Sequence, residues 1–477
     1  MQKLKILNYA SFASIALLAG AMLSGCSLRP DMPEVETSVE MKYQFDHYNL
    51  NDKWWEDFKD PRLDELVASA LENNHDLLLA LNNLESARIQ MNLAKIEFLP
   101  NSSLGGDSGK NRTSAKLPSG APVSYYNLAT LSASASWEID LWGRVRNGAR
   151  AGIANFEASE YDYENARLSI ISSVANTYFM LVSLQEQEQI LKDSLASYEQ
   201  TLAYRKAEYD SGSIDELTYS QAKASVDDAK NQLVTLQDSL ISTRTALALL
   251  AGKGADFIFN ESVQTSKSTD ISVPEVPSGI AADILERRAD VAAALKRLKA
   301  ANAQIGVARA NYFPRLSLTG SLGYSSNEFD RLFINQARTW SYGGSLIMPL
   351  LDFGRTYQNV QLAWKDQNAS MLNYDKTLKN ALGEVHDALK LRQNANEKFN
   401  AAQDLRSSWQ KVFDLSQARF NEGYSTHLEY LDAQRGLLSA KLGYARAQLG
   451  TLNAVVEVYK ALGGGFKTKQ SLKSDLD

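Results

Sequence analysis

The chain reads as mainly α-helical with a minority of membrane-type β-strands, laid out as two copies of one plan. Three observations predict this. No proline lies between Pro122 and Pro274 and none follows Pro349, so two stretches lack the residue that breaks helix interiors most reliably. Four short segments alternate apolar and polar residues with period two, the pattern of amphipathic strands. Matching motifs recur at a single offset of 211 residues.

The N-terminus comes first. Lys3 and Lys5 precede an apolar run from Phe12 to Leu23, too short to span a bilayer comfortably and typical of a secretory signal covering residues 1–25. Leu23-Ser24-Gly25-Cys26 then looks like the lipobox of a bacterial lipoprotein signal. Cleavage there leaves Cys26 first, with diacylglycerol on its thiol and usually an acylated amine. Several acyl chains anchor a protein stably where one is marginal. Cys26 is the only cysteine, so this exported chain has no disulfide framework. Ser27 stands where an inner-membrane lipoprotein of many bacteria carries Asp, which favours the outer membrane.

The helices follow from spacing. Arg144 to about Asp210 contains only two glycines, Gly148 and Gly152; a continuous helix there would be on the order of 100 Å long, beyond the need of a globular domain. Leu168, Ile171, Ala175, Tyr178 and Val182 step by three and four, as do Leu233, Leu236, Leu240, Thr243, Leu247 and Leu250. The same holds for Leu438, Leu442, Ala445, Leu449, Leu452, Val456 and Tyr459. Such seams let helices pack side by side, in a soluble bundle as well as in a longer array.

The strands discriminate more. From Thr130 to Leu141 the alternation is unbroken: Leu131, Ala133, Ala135, Trp137, Ile139 and Leu141 on one face, Ser132, Ser134 and Ser136 on the other. Leu316, Leu318, Leu322 and Tyr324 oppose Arg315, Ser317, Thr319 and Ser321, and Trp340, Tyr342, Leu346, Met348 and Leu350 share a side. A weaker candidate covers Leu99 to Gly106. Segments of about ten residues with aromatics near their ends suit transmembrane strands. Polar loops around Asp107–Ser124 and Ser326–Arg338 make two hairpins of them. Four strands cannot close a barrel, and open edges are not tolerated in lipid, so several chains must share one.

The repeat ties these parts together. Asp140-Leu141-Trp142-Gly143-Arg144 matches Leu351-Asp352-Phe353-Gly354-Arg355. Tyr209-Asp210-Ser211-Gly212 matches Phe420-Asn421-Glu422-Gly423, and Leu250-Ala251-Gly252 matches Ala461-Leu462-Gly463. Each half is a hairpin, a long helix, a turn at Gly212 or Gly423, a returning helix and a Gly-rich stop.

Composition excludes some functions. A net charge of −6 argues against nucleic acid, whose phosphates need a basic excess. His47, His75, His386 and His427 lack metal-ligand spacing. Gly252-Lys253-Gly254 lacks the rest of a phosphate loop and reads as a helix C-cap. No catalytic constellation is present, and neither enzyme activity nor a cofactor is expected beyond the covalent lipid on Cys26.

Several segments carry a family resemblance: Trp54-Trp55-Glu56-Asp57-Phe58-Lys59-Asp60-Pro61 with Leu71-Glu72-Asn73-Asn74; Trp137 to Arg144; and Leu285-Glu286-Arg287-Arg288. It continues through Ala300-Ala301-Asn302-Ala303-Gln304-Ile305-Gly306-Val307-Ala308-Arg309, Phe313-Pro314 and Tyr459 to Gly465. Together they resemble the outer-membrane factor (TolC-like) family in its OprM/CmeC-like lipoprotein branch, over nearly the whole mature chain. Ala289 departs from the family's usual Pro.

The resemblance implies a homotrimer whose twelve-stranded barrel takes four strands from each chain and continues as a long α-helical barrel in the periplasm. It divides the chain into residues 26–98 (N-terminal periplasmic segment and first helix), 99–143 (hairpin 1), 144–252 (helical hairpin 1) and 253–312 (equatorial linker and helix). Residues 313–353 (hairpin 2), 354–462 (helical hairpin 2) and 463–477 (equatorial tail) complete it. It implies the exit duct of a tripartite multidrug efflux pump, with a periplasmic adaptor, an inner-membrane transporter of the resistance-nodulation-division (RND) type, and outer-membrane lipid as partners. Leu428, Asp432 and Arg435 match the segment that closes the periplasmic mouth, and their spacing shares one helix face. Gly212, Ser213, Gly423 and Ser425 fall at the tips that contact the adaptor. The same duct could serve type I protein secretion or metal-ion efflux. A periplasmic adaptor lipoprotein would share the lipobox and a coiled-coil hairpin, but not two amphipathic strand pairs in repeat.

Overall fold

The computed structural model describes residues 27–33, 52–114, 123–254, 265–266, 268–275 and 288–464. It contains helices α1 (Pro61–Asn73), α2 (His75–Ile96), α3 (Arg144–Asp210), α4 (Glu216–Leu250), α5 (Ala289–Ala310), α6 (Arg355–Asn421) and α7 (His427–Ala461). Four strands, β1 (Asn101–Arg112), β2 (Tyr125–Ile139), β3 (Arg315–Ser326) and β4 (Arg338–Ile347), complete the framework. α3 and α6 are 67 residues each and α4 and α7 are 35 each, so the repeat is exact in helix length. The chain forms two compact units, and α3 and α6 each start in the first and end in the second.

The first unit holds the sheet, antiparallel throughout in the order β1-β2-β3-β4. Register aligns the faces because side chains alternate with period two. Leu104, Ala133, Leu322 and Trp340 stand in one row across the four strands; Ser103, Ser134, Ser321 and Ser341 stand in the adjacent row on the other face. Within that row Ser103 and Ser134, and Ser321 and Ser341, sit with hydroxyls 2.8 Å apart.

Strand limits depart from the sequence reading at one end. β1 continues through Asp107 to Arg112 and β2 begins at Tyr125, so hairpin 1 extends into what reads as loop. Asp107-Ser108-Gly109-Lys110-Asn111-Arg112 has no apolar alternation to announce a strand; the backbone ladder to Thr130–Tyr125 makes it one. At the other end β4 stops at Ile347, leaving Met348 and Leu350 outside, beside Pro349, which cannot donate to a ladder.

Beneath the sheet, Ala151 and Ala154 of α3 pack on Ala300 and Ala303 of α5, small residues that bring the helices close. Lys296 pairs with Glu157 at 2.5 Å. Residues 27–33 lie against these helices: Asn302 Nδ2 donates to the Pro30 carbonyl (3.0 Å) and Arg309 to that of Leu28 (3.3 Å).

The second unit has the principal core. Trp54, Phe58, Leu63, Val67, Val174, Tyr178, Phe179, Leu181, Leu247, Val456 and Tyr459 are buried there together, and Trp54 stacks on Tyr459 with ring centroids 5.1 Å apart. Asp60 caps α1 through the Arg62 amide (2.9 Å). It also accepts from Tyr178 Oη (2.6 Å) and Ser266 Oγ (2.9 Å), and burial with this carboxylate raises the Tyr178 pKa above the ordinary phenol range. The resemblance segment Trp54 to Pro61 is thus a plug against α3 and α7. The heptad seams are buried on α3 (Ile171, Ala175, Tyr178 and Val182) and α7 (Leu452, Val456 and Tyr459), whereas on α4 Leu240 and Leu247 are buried and Leu233, Leu236, Thr243 and Leu250 are half-buried.

Candidate functional site: the helix tips and α7

The turn between α3 and α4 needs the left-handed backbone of Gly212 (φ +75°). The Ser213 amide donates back to Glu208 O (2.9 Å), and Ser213 Oγ lies 2.9 Å from Ser211 Oγ. Asp215 then caps α4, accepting from the Thr218 amide (3.0 Å) and hydroxyl (2.6 Å); those bonds hold its carboxyl below its ordinary pKa. The second tip repeats the design. Gly423 has φ +76°, the Tyr424 amide donates to Arg419 O (2.8 Å), and Thr426 caps α7 through the Glu429 amide (3.3 Å). Ser425 Oγ donates to Glu429 Oε2 (2.5 Å). All four tip residues read from the sequence are exposed except Ser425, which is half-buried, and both serine hydroxyls are engaged within their own turns.

Behind the second tip lies a cluster the sequence does not announce. Arg205 is buried, its guanidinium over the Phe420 ring (4.7 Å) and paired with Glu208. His427, the first residue of α7, is buried beside the same ring, centroids 6.1 Å apart, and neither imidazole nitrogen has a hydrogen-bond partner. Burial, and secondarily the charge of Arg205, pushes the His427 pKa down to about 4. Nothing in the sequence marks His427 as different from the other three histidines; only the fold sets it against Arg205.

Further along, α7 divides cleanly. Tyr430, Leu431, Ala433, Gln434, Leu437 and Leu438 are buried within the chain. Gln434 Nε2 donates to Ser197 Oγ (3.2 Å) and Tyr430 Oη (3.1 Å). Leu428 (58% exposed), Asp432 and Arg435 lie outside that packing. Arg435 reaches α4, donating to Ser225 Oγ (2.9 Å); among the described residues no ion pair within 4.0 Å joins it to Asp432. The Asp432 carboxylate is therefore presented outward. Gly436 sits under Trp409 of α6, where an added Cβ would lie 2.2 Å from the ring. Cys26 lies outside the described residues; its neighbour Ser27 donates to Asn147 Oδ1 (3.2 Å).

A sheet with an apolar and a hydroxyl face, joined by uninterrupted long helices to paired tips, defines the subunit of a passive outer-membrane channel. The outer membrane efflux protein family model matches residues 66–253 and 280–464, and the chain belongs to that family. It is 32% identical over 478 residues to the solvent efflux pump outer membrane protein SrpC of Pseudomonas putida, covering 96% of this chain and 100% of the relative. It is 31% identical over 458 residues to the cation efflux system protein CusC of Escherichia coli O157:H7, covering 93% and 97%. Among solved structures it is similar to the CmeC outer membrane channel of Campylobacter jejuni, with TM-score 0.89, 31% identity and 94% and 98% of the two chains covered. The open-state MtrE outer membrane channel of Neisseria gonorrhoeae gives TM-score 0.81 and 30% identity over 93% and 99%. The fold is that of these channels: four strands per chain in a trimeric barrel, with a helical barrel in the periplasm. The chain is an outer-membrane efflux channel and not an enzyme.

Proposed function

We propose that this channel is the exit duct of an RND-type multidrug pump, anchored by lipid on Cys26 and closed at its periplasmic end by Leu428, Asp432 and Arg435. The observation that carries the gate is the division of α7: one face is spent inside the chain, while the Asp432 carboxylate and Leu428 are left for neighbours around a symmetry axis. Three carboxylates near that axis repel one another unless guanidinium groups lie close. Each pair is weak, but a ring of them acting together can bias a two-state opening by a few kcal/mol. The ring also puts negative charge in the narrowest passage and favours cations. Engagement of the Gly212–Ser213 and Gly423–Ser425 tips by a periplasmic adaptor, coupled to the inner-membrane transporter, shifts that equilibrium to open.

Replacing Asp432 and Arg435 together by Ala tests the gate. The variant should form trimers, conduct more than wild type in planar bilayers and make cells leak to large antibiotics; wild-type conductance would move the gate elsewhere. Cargo is tested separately. The relatives' names cover solvents, toluene, antibiotics and cations, so deletion should sensitise cells to several unrelated antibiotics. Sensitisation to metal ions alone would give the metal-efflux reading instead, and loss of a secreted protein the type I secretion reading.

A further inference from the structure

The two faces of the sheet differ in charge as well as in hydropathy. Leu104, Ala133, Leu322 and Trp340 fix the apolar, lipid-directed face. Because side chains alternate, that face takes the even-numbered residues of β1, β3 and β4 and the odd-numbered residues of β2. Its charged side chains are Lys110 and Arg112 on β1 and Arg338 on β4. All are cations; no Asp or Glu of the four strands falls on that face. The hydroxyl face holds the remaining strand charges, Asp107, Glu138 and Arg315, which are of both signs.

The three cations also share one end of the sheet. α2 leads into β1 and α5 into β3, while β2 and β4 run out towards α3 and α6. The helices are periplasmic, so Arg112, Tyr125, Ser326 and Arg338 mark the opposite end, at the cell exterior. Lys110 and Arg112 lie in the last turn of the pleat of β1, and Arg338 is the first residue of β4. At this end Arg112 pairs with Tyr125, Ser326 with Ala129, and Arg338 with Tyr324. That stepwise stagger is what tilted barrel strands need for their ends to stay level. From Trp137 to Tyr125, β2 rises about 40 Å along its own axis, or about 30 Å along the membrane normal once tilted. The apolar band of such barrels is about 25 Å tall. Tyr125 and its partner Arg112 therefore stand just above the hydrocarbon, where lipid head groups begin.

None of the three is engaged by a carboxylate. All are exposed, and among the described residues none forms an ion pair within 4.0 Å. Arg112 lies over the Tyr125 ring (5.7 Å), which leaves its guanidinium edge open. Beside Arg338 on the same face, Trp340 and Tyr342 stack with centroids 5.6 Å apart, a rigid amphipathic floor of the kind that sits at head-group level. Cations there could simply snorkel into water, but snorkelling does not require a face cleared of every acid. Like charges from three chains repel around one rim unless anions lie between them. The anion that the interface itself supplies is phosphate, which guanidinium groups grip through paired N–H donors.

We infer that the outer rim of the barrel is a binding surface for phosphorylated lipid of the outer leaflet. The head-group phosphates sit on Lys110, Arg112 and Arg338, and the acyl chains lie along Trp340, Tyr342 and the apolar face below them.

Lipid A, a glycolipid with two phosphates, serves as the probe, with the fully dephosphorylated glycolipid as its control. Adducts on full-length trimers in neutral detergent are counted by native mass spectrometry. Wild type should retain lipid A with an affinity that falls as salt rises, and should hold the dephosphorylated lipid more weakly. Replacing Lys110, Arg112 and Arg338 together by Ser should weaken lipid A binding about a hundredfold, about fivefold for each cation. Lys110→Arg with Arg112→Lys and Arg338→Lys should retain wild-type binding, as should Asp107→Asn on the hydroxyl face. The single Ser variants carry the comparison at about fivefold each should the triple variant assemble poorly. Equal binding of lipid A by wild type and by the Ser variants would overturn the inference and leave the cations as snorkelling side chains. Wild-type protein that holds the dephosphorylated lipid as tightly as lipid A would overturn it too, since the surface would then read acyl chains alone.

Discussion

Acid should loosen the tip through His427, and replacing that one side chain should abolish the effect. The imidazole is 8% exposed and both nitrogens lack partners. It faces Arg205 and Glu208 from α3, Phe420 from α6, and the α7 N-terminus, whose dipole adds to the opposition to a proton. Other charged side chains near the turn, Arg419, Glu422 and Glu429, are exposed, with Arg419 donating to Tyr424 O and Glu429 accepting from Ser425 Oγ. With its pKa lowered from 6.5 to about 4, His427 stays neutral in the packed tip, whereas an opened tip binds a proton below about 6.5. Its stabilising contribution is therefore complete above about pH 6.5, falls as pH drops, and reaches its floor below about 4. At about 1.4 kcal/mol per pKa unit, the loss across that window is on the order of 3 kcal/mol. Hydrogen exchange of the first turn of α7 and the last turn of α3, corrected for intrinsic rates, should accelerate about tenfold to a hundredfold between pH 7 and 4.5. His427→Phe fills the site without titrating and should show no such acceleration. An equal acid response in wild type and His427→Phe would refute the reasoning and assign the titration to other groups.

Three further outcomes are expected. Ala135→Arg places a charge on the lipid face of β2 at a cost of about 2–4 kcal/mol near the midplane and should impair assembly, whereas Ser134→Arg on the hydroxyl face should assemble; equal yields of folded trimer would contradict the face assignment. Gly436→Ala drives a methyl into the Trp409 ring, an overpacking worth about 1–3 kcal/mol, and should lower the melting temperature and raise open probability together. An unchanged melt would show that α6 and α7 adjust freely. Cys26→Ser with a non-lipoprotein signal should still insert and keep part of its export activity, because the strands themselves hold the membrane; recovery wholly in the soluble periplasmic fraction would count against the barrel.

Much of the fold was legible because its elements are long and strongly patterned. The proline-free stretch from Arg144 to Asp210 is one helix with those limits, and the alternation after Thr130 is β2. Asp107–Arg112 was not legible, since a polar, Gly-containing strand is made by its partner's backbone and carries no periodicity of its own. At the candidate site, the tip glycines stood out because a positive φ needs them. Asp432, Arg435 and Leu428 share a face by spacing, but the engagement of Arg435 with Ser225, 210 residues away, has no local signature.

By itself, then, the sequence determined what periodicity and local backbone chemistry control: helix lengths, turn positions, the two strand faces and the twofold repeat. Tertiary structure alone decided which residues from distant segments meet. It set His427 against Arg205, Gly436 beneath Trp409, and Asp60 beneath Tyr178. Those environments arise where separate helices close on one another and remove water, and the desolvation that shifts a histidine or forbids a methyl group depends on neighbours no spacing rule encodes.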